Sequence, residues 1–255
     1  MTLYYTIIFF IIGTVFGSFY NVVGYRLPKN ESVLKPKHSY CPKCHHQLTS
    51  LELIPVLSFL FQKGKCKNCR APISFFYPFI ELLTGALFAV SFYSFGFSYE
   101  LVIALMLSSL FSIVIVSDLN YLIIPDEVTV IAAVVISIVT FLNKGIEDGL
   151  IALGSGVLLF AIMYFIMLLG NFLFKRESLG GADVKLMFVA GLSLGPILGI
   201  IVIFLSSVIA LPVSLILYVV NKEKVIPFGP FIVASILMLF LLKVDMTSIL
   251  ELLTF

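Results

Sequence analysis

Acids are scarce in this 255-residue chain, and two of them stand where a polar loop meets an apolar run. Ser178-Leu179-Gly180-Gly181-Ala182-Asp183-Val184-Lys185 sets a carboxylate beside small residues at the entry to one run. Asp118-Leu119-Asn120-Tyr121-Leu122-Ile123-Ile124-Pro125-Asp126 sets one at the end of another. Burying a carboxylate in lipid is expensive, so acids retained at the ends of membrane segments are functional candidates. Two carboxylates sharing one site cannot both ionise: one keeps its proton and the other serves as a base toward water. That division of labour suits hydrolysis of a peptide bond without a metal or a covalent intermediate. Gly180, Gly181 and Ala182 would then let an extended substrate backbone approach Asp183. On residue types alone, Asp118 and Asp183 are equally compatible with helix-end carboxylates in interfacial water. Asp126 is either a third member of the site or, as the residue ahead of Val128, the cap of the next helix. Lys185 either snorkels or pairs with an acid.

A second chemistry lies in Cys41-Pro42-Lys43-Cys44 and Cys66-Lys67-Asn68-Cys69. Two-residue spacing lets both thiolates of each pair reach one tetrahedral Zn²⁺, and the neighbouring lysines favour the thiolate form. Redox thiols or unliganded cysteines are the alternatives. Because four cysteines already close a site, His38, His45 and His46 read as solvated loop residues. Two further polar residues, Asn21 and Glu81, sit inside apolar runs and should face the protein interior, if only for an interhelical hydrogen bond.

These groups need membrane helices to position them. The composition is 60% hydrophobic and 12% charged, with a mean hydropathy of +1.13, beyond what a soluble core requires. A net charge of +2 gives no reason to expect nucleic acid. A span needs about 20 apolar residues. Leu3–Val23, Phe76–Phe95, Leu101–Ser117, Leu150–Phe174 and Ile197–Val220 satisfy this. Val128–Leu142 and Ile226–Leu242 are shorter. Val184–Leu194 is shorter still, interrupted by Gly191, Gly195 and Pro196, and is either completed by its flanks or re-entrant. If it crosses, all of the 16 Lys and Arg residues except Lys144 and Lys243 fall on one side, which the positive-inside rule makes cytoplasmic. The expected fold is therefore an all-α polytopic transmembrane helical bundle of about eight spans. It carries a small cytoplasmic zinc-binding insert and puts both acids at the cytoplasmic ends of their spans. The expected division is a first span at 1–25, the insert at 26–75 and a transmembrane core at 76–255. Within the insert, Leu51–Phe61 should pack on the insert itself or on the membrane surface. Pro227-Phe228-Gly229-Pro230 opens the last span and sets its entry angle.

Several motifs, in order, extend over nearly the whole chain. They are Gly17-Ser18-Phe19-Tyr20-Asn21-Val22-Val23 with Arg26-Leu27-Pro28, the paired CxxC motifs, and Ile73-Ser74 through Pro78 to Glu81-Leu82. Then come Asp118 with Ile124-Pro125-Asp126, Gly181-Ala182-Asp183-Val184-Lys185, and Pro227-Phe228-Gly229-Pro230. In this the chain resembles the type IV prepilin leader peptidases, including those serving competence pseudopili and type II secretion. The resemblance implies an intramembrane aspartic protease of the GxGD type with Asp118 and Asp183 as its catalytic acids, although Ala182 departs from the strict signature. It implies type IV prepilin or pseudopilin precursors as substrates, cut after a short basic leader at the cytoplasmic face of the bacterial inner membrane. Many members also N-methylate the new N-terminus using S-adenosylmethionine. By resemblance Asn21, Arg26 and Glu81 are the positions for that activity, since the spacing itself shows no methyl-donor site. The rival from residue chemistry is a proton- or cation-coupled transporter using the two aspartates as a relay. Such proteins often show repeated halves with broken helices at mid-membrane, whereas here no repeat is visible and the acids lie at one edge. A zinc-stabilised scaffold without chemistry would tolerate loss of either acid.

Overall fold

The computed structural model describes residues 1–35, 38–175, 179–221 and 227–244. It is all-helical apart from two isolated β-bridges. The chain divides into two compact units, Met1–Gly96 and Phe97–Phe255. Packing thus groups the second long helix with the first span.

In the first unit, α1 (Thr2–Arg26) and α3 (Phe76–Phe95) run antiparallel, with Gly13 facing Gly85 and Gly17 facing Glu81. The approach is close enough that a Cβ on Gly13 would lie 2.8 Å from Gly85 Cα, and one on Gly17 2.8 Å from Glu81 Cα. Gly13-Thr14-Val15-Phe16-Gly17 is thus a small-xxx-small seam, which membrane helices use because lipid supplies no hydrophobic drive between them. Farther along the pair, Phe9 stacks on Phe92 at 4.6 Å. Between the helices lies the insert, with single 3₁₀ turns at Leu27–Lys29 and Ser50–Leu53 and a five-residue α2 (Leu57–Phe61). The 51–61 stretch is therefore two short turns, far below membrane length.

The second unit starts with α4 (Tyr99–Tyr121), capped by the Ser98 side chain, which accepts from Leu101 N. It ends where Leu122 turns left-handed (φ 55°) and donates its amide to Asp118 O at 2.9 Å. α5 covers Asp126–Phe174, 49 residues, with Gly145 (φ 88°, ψ −176°) breaking it into two segments. Eight residues of continuous helix rise about 12 Å, yet a Cβ on Gly149 would strike the Phe141 ring. The chain therefore changes direction at Gly145, as expected from the separate apolar runs 128–142 and 150–174. Helix nonetheless extends to both sides of the glycine.

α6 (Gly181–Leu194), α7 (Pro196–Asn221) and α8 (Gly229–Leu241) complete the unit. α4 packs on α5 and α8, while α6 packs on α5, α7 and α8. Gly191 does not interrupt α6. A Cβ there would lie 2.5 Å from Ser155 O and 2.6 Å from Gly156 Cα, so it is the point where α6 and α5 touch. The helix stops instead at Gly195 (φ 80°), ahead of Pro196. Among the described residues, five helices are long and apolar enough to cross a membrane: α1 with its following turn, α3, α4, α5 and α7. α6 and α8 are shorter. Much of the expected basic loops at 175–183 and 221–225, including Arg176, Lys222 and Lys224, and the start of the last expected span at Ile226, fall outside the described residues.

Candidate active site and cysteine cluster

Asp118 lies in the last turn of α4 and Asp183 in the first turn of α6; they are 6% and 8% exposed. The two carboxylates are within electrostatic reach of each other. Gly229, the first residue of α8, lies against Asp118: a Cβ there would stand 3.0 Å from Asp118 Oδ2. Gly180 precedes α6 in an extended conformation (ψ 134°), and its carbonyl accepts from Asp183 N at 3.1 Å. A Cβ on Gly180 would stand 3.2 Å from Asp183 Oδ2, whereas one on Gly181 would meet nothing. Among the described residues Gly181 is thus unobstructed and exposed, with Ala182 half-buried between it and Asp183.

Asp126 is not the helix cap. Pro125 occupies that place and Asp126 is the first helical residue. Its Oδ1 accepts instead from Lys185 Nζ at 2.6 Å, tying the start of α5 to the start of α6. The pairing expected of Lys185 is therefore with Asp126.

In the first unit the four cysteine sulfurs all lie within 4.8 Å of one another. Cys41 Sγ is 3.9 Å from Cys69 Sγ, and Cys44 Sγ is 3.9 Å from Cys66 Sγ. Four thiolates bound tetrahedrally at about 2.3 Å from a zinc would stand about 3.8 Å apart, so the donor set matches that ion in type and spacing. Backbone amides of Cys44 and Lys43 aimed at Cys41 draw its thiol down to about 6, while burial and the neighbouring sulfurs push Cys69 up to about 11; without an ion, four sulfurs this close cannot all carry charge, and a bound cation is what would let them.

The two knuckles repeat one another at an interval of 25 residues (41 to 66). Cys41 N bonds His46 O at 2.9 Å and Cys66 N bonds Ala71 O at 2.8 Å. Leu48 N bonds Ser39 O and Ile73 N bonds Gly64 O, both at 2.8 Å. The bridges Tyr40 to Gln47 and Lys65 to Pro72 obey the same offset, as do the left-handed residues His45 (φ 55°) and Arg70 (φ 59°). Apart from the cysteines the two sequences have little in common, which hid the repeat from sequence inspection. His46 is not simply solvated: its Nε2 lies 3.4 Å from Glu52 Oε2. His45 stacks on Tyr40 at 5.8 Å.

A cavity of about 520 Å³ lies between α1, α3 and the insert, with Asn21, Arg26 and Glu81 in its wall beside Tyr25, Glu52 and Tyr77. Asn21 donates to Gly17 O and Tyr77 O, both at 3.2 Å, leaving its buried Oδ1 without a donor. Glu81 Oε2 accepts from Val56 N at 2.7 Å and the carboxylate also bonds the Ser18 side chain. Arg26 Nη1 donates to Ser32 O and Val33 O. Val56 (φ 61°, ψ −51°) is a β-branched residue at positive φ outside the left-handed helical region, a conformation costing on the order of 1–3 kcal/mol and concentrated at functional sites. Neither Val56 nor Ser18 was distinguishable as a partner of Glu81 from sequence.

The second unit is thus a bundle of apolar helices with two buried acids at helix ends, and the first carries a four-cysteine insert between two apolar helices: the parts of a membrane-embedded protein. Residues 11–95 match the Bacterial Peptidase A24 N-terminal domain and residues 104–215 the Type IV leader peptidase family. The chain is 36% identical over 239 residues to a prepilin leader peptidase/N-methyltransferase of Bacillus subtilis, covering 92% of this chain and 93% of that one. It is 30% identical to the protein of that name from Aeromonas hydrophila, covering 90% and 88%, and 29% identical to that from Neisseria gonorrhoeae, covering 88% and 86%. No solved structure matches the chain. The chain belongs to the type IV leader peptidase family, and is accordingly an aspartic-peptidase-like, multi-pass protein of the bacterial inner membrane.

Proposed function

We propose that this protein removes the basic leader from type IV prepilin or pseudopilin precursors by a two-aspartate mechanism. The observation carrying the reading is that Asp118 and Asp183, from α4 and α6, are buried near one another in one unit. In the mechanism, one carboxylate takes a proton from water as that water attacks the scissile carbonyl, and the protonated partner delivers its proton to the departing amine. Gly180, which has no side chain to crowd the Asp183 carboxylate, and the unobstructed Gly181 would let the substrate's extended segment approach Asp183. In an eight-span topology with both termini outside, α5 crosses twice about Gly145, and both acids lie at the cytoplasmic edge. An apolar substrate helix would then present its junction from within the bilayer.

The insert would hold one structural Zn²⁺ through Cys41, Cys44, Cys66 and Cys69. The cavity above Glu81 would hold S-adenosylmethionine, which when bound supplies the methyl group for the new N-terminus. Its volume suits a small molecule. The orphaned Asn21 Oδ1 and the Glu81 carboxylate suit hydroxyl and cationic donors, and Arg26 brings a fixed positive charge to the wall.

The test is cleavage of a purified prepilin by Asp118→Asn and Asp183→Asn, read by mass at the product's N-terminus. Each should abolish cleavage with protein level and metal content unchanged, because an amide neither accepts nor delivers the proton. Substantial cleavage by either variant rejects the mechanism.

A further inference from the structure

We infer that the opening turn of α8 is a positioning element for Asp118, with Gly229 as the residue that makes it so. The first amides of a helix have no partner within it, and here each can be accounted for. Pro230 has no N–H to give. Phe231 and Ile232 both close onto the Phe228 carbonyl, at 3.0 and 3.3 Å. The Gly229 N–H closes onto no carbonyl of its own helix, and the Gly229 backbone lies against Asp118, close enough that a Cβ would stand 3.0 Å from Asp118 Oδ2. In the first turn, then, one donor is left over, and it lies beside a buried carboxylate. The partial positive charge at a helix N-terminus favours an acid held there.

Space is the second half of the device. A Cβ on Gly229 would lie 2.4 Å from Ile124 Cδ1, 3.0 Å from Asp118 Oδ2 and 3.3 Å from Val114 Cγ1. Ile124 is 6% exposed and Val114 is fully buried, so the surroundings have little room to yield. Any side chain at 229 pushes on the carboxylate or on the wall behind it. α8 as a whole packs on both α4 and α6, the helices that carry the two acids. The motif Pro227-Phe228-Gly229-Pro230 therefore has a role beyond setting an entry angle.

This inference rests on Asp118 acting in cleavage. The experiment measures steady-state prepilin cleavage by the full-length protein in lipid vesicles, comparing Gly229→Ala, Ile124→Val, the double variant and Asp118→Asn. Gly229→Ala should lower kcat by about 10-fold, since the carboxylate must give by a few tenths of an ångström where a misplacement of about 1 Å can cost about 10²-fold, while KM stays within about twofold. Ile124→Val removes the nearest clashing atom but not the contact with Asp118. It should be near wild type alone and should leave the double variant as slow as Gly229→Ala. Recovery of wild-type kcat in the double variant shows that the glycine serves packing only and overturns the inference, as does a loss confined to KM or no loss at all. Should the single variant fail to fold, the double variant is judged against Ile124→Val by the same criteria. Cleavage by Asp118→Asn would bring down the reading of Asp118 itself, and this inference with it. An inactive Asp118→Asn beside an unimpaired Gly229→Ala brings down this inference alone.

Discussion

At the scale of single residues, a chain this apolar makes each charge conspicuous, which is why Asp118, Asp183 and Glu81 could be singled out by type and position. The partners of those charges were not legible, because several are backbone groups. The Gly229 backbone and Val56 N carry no side-chain signature, and the pairing of Asp126 with Lys185 joins residues 59 apart in sequence. That pair is largely exposed on both sides, and exposed ion pairs contribute about 0–1 kcal/mol. Asp126→Asn should therefore cost less than about 1 kcal/mol in thermal unfolding and retain part of the cleavage activity. Exchanging the two residues, Asp126→Lys with Lys185→Asp, should restore most of what either single change loses. Complete loss of cleavage in Asp126→Asn, with folding intact, would instead make Asp126 a third member of the site.

At the scale of elements, apolar run length located the helices, and glycine was the weak signal. Gly145 and Gly195 have positive φ and end helical segments, whereas Gly191 and Gly13 sit within helices at close approaches. Sequence alone does not separate these uses. The α1–α3 seam gives a test. Gly17→Ala places a methyl 2.8 Å from Glu81 Cα, an overpacking that costs typically about 1–3 kcal/mol. Methyl transfer to a pre-cleaved substrate should fall markedly while prepilin cleavage persists, since the acids belong to the other unit. Equal loss of both activities would contradict that separation.

The insert is the other element with its own energetics. Only 49 residues lie between α1 and α3 (27–75), with one five-residue α-helix and little core, so a bound metal would supply much of its folding energy. Metal analysis should return about one zinc per chain, lost on Cys→Ser at any of Cys41, Cys44, Cys66 or Cys69. Chelation should increase proteolysis between residues 30 and 75 and leave the helical content largely intact. A folded, metal-free wild-type protein would refute the assignment.

At the scale of the whole molecule, the uneven distribution of basic residues argues for an eight-span topology where helix length gives five clear spans among the described residues. Single cysteines introduced at Lys67 and Leu179 should label from the cytoplasm, and one at Lys144 from outside. Labelling of the 144 and 179 positions from the same face would eliminate the eight-span arrangement.

In that arrangement the 14 residues of α6 reach about 21 Å, against a hydrocarbon thickness of about 30 Å. The helix starts at the acids, so the shortfall lies toward the opposite leaflet, and the turn at Gly195 and Pro196 comes to rest at hydrocarbon depth. That is tolerable because the turn closes on itself: Gly195 donates to Gly191 O at 3.0 Å, Pro196 has no amide, and the Gly195 carbonyl accepts from Gly199 N at 3.1 Å. Most of α6 is buried against α5, α7 and α8, so protein rather than lipid makes up the shortfall, and a helix too short to span can still carry an acid to the membrane edge.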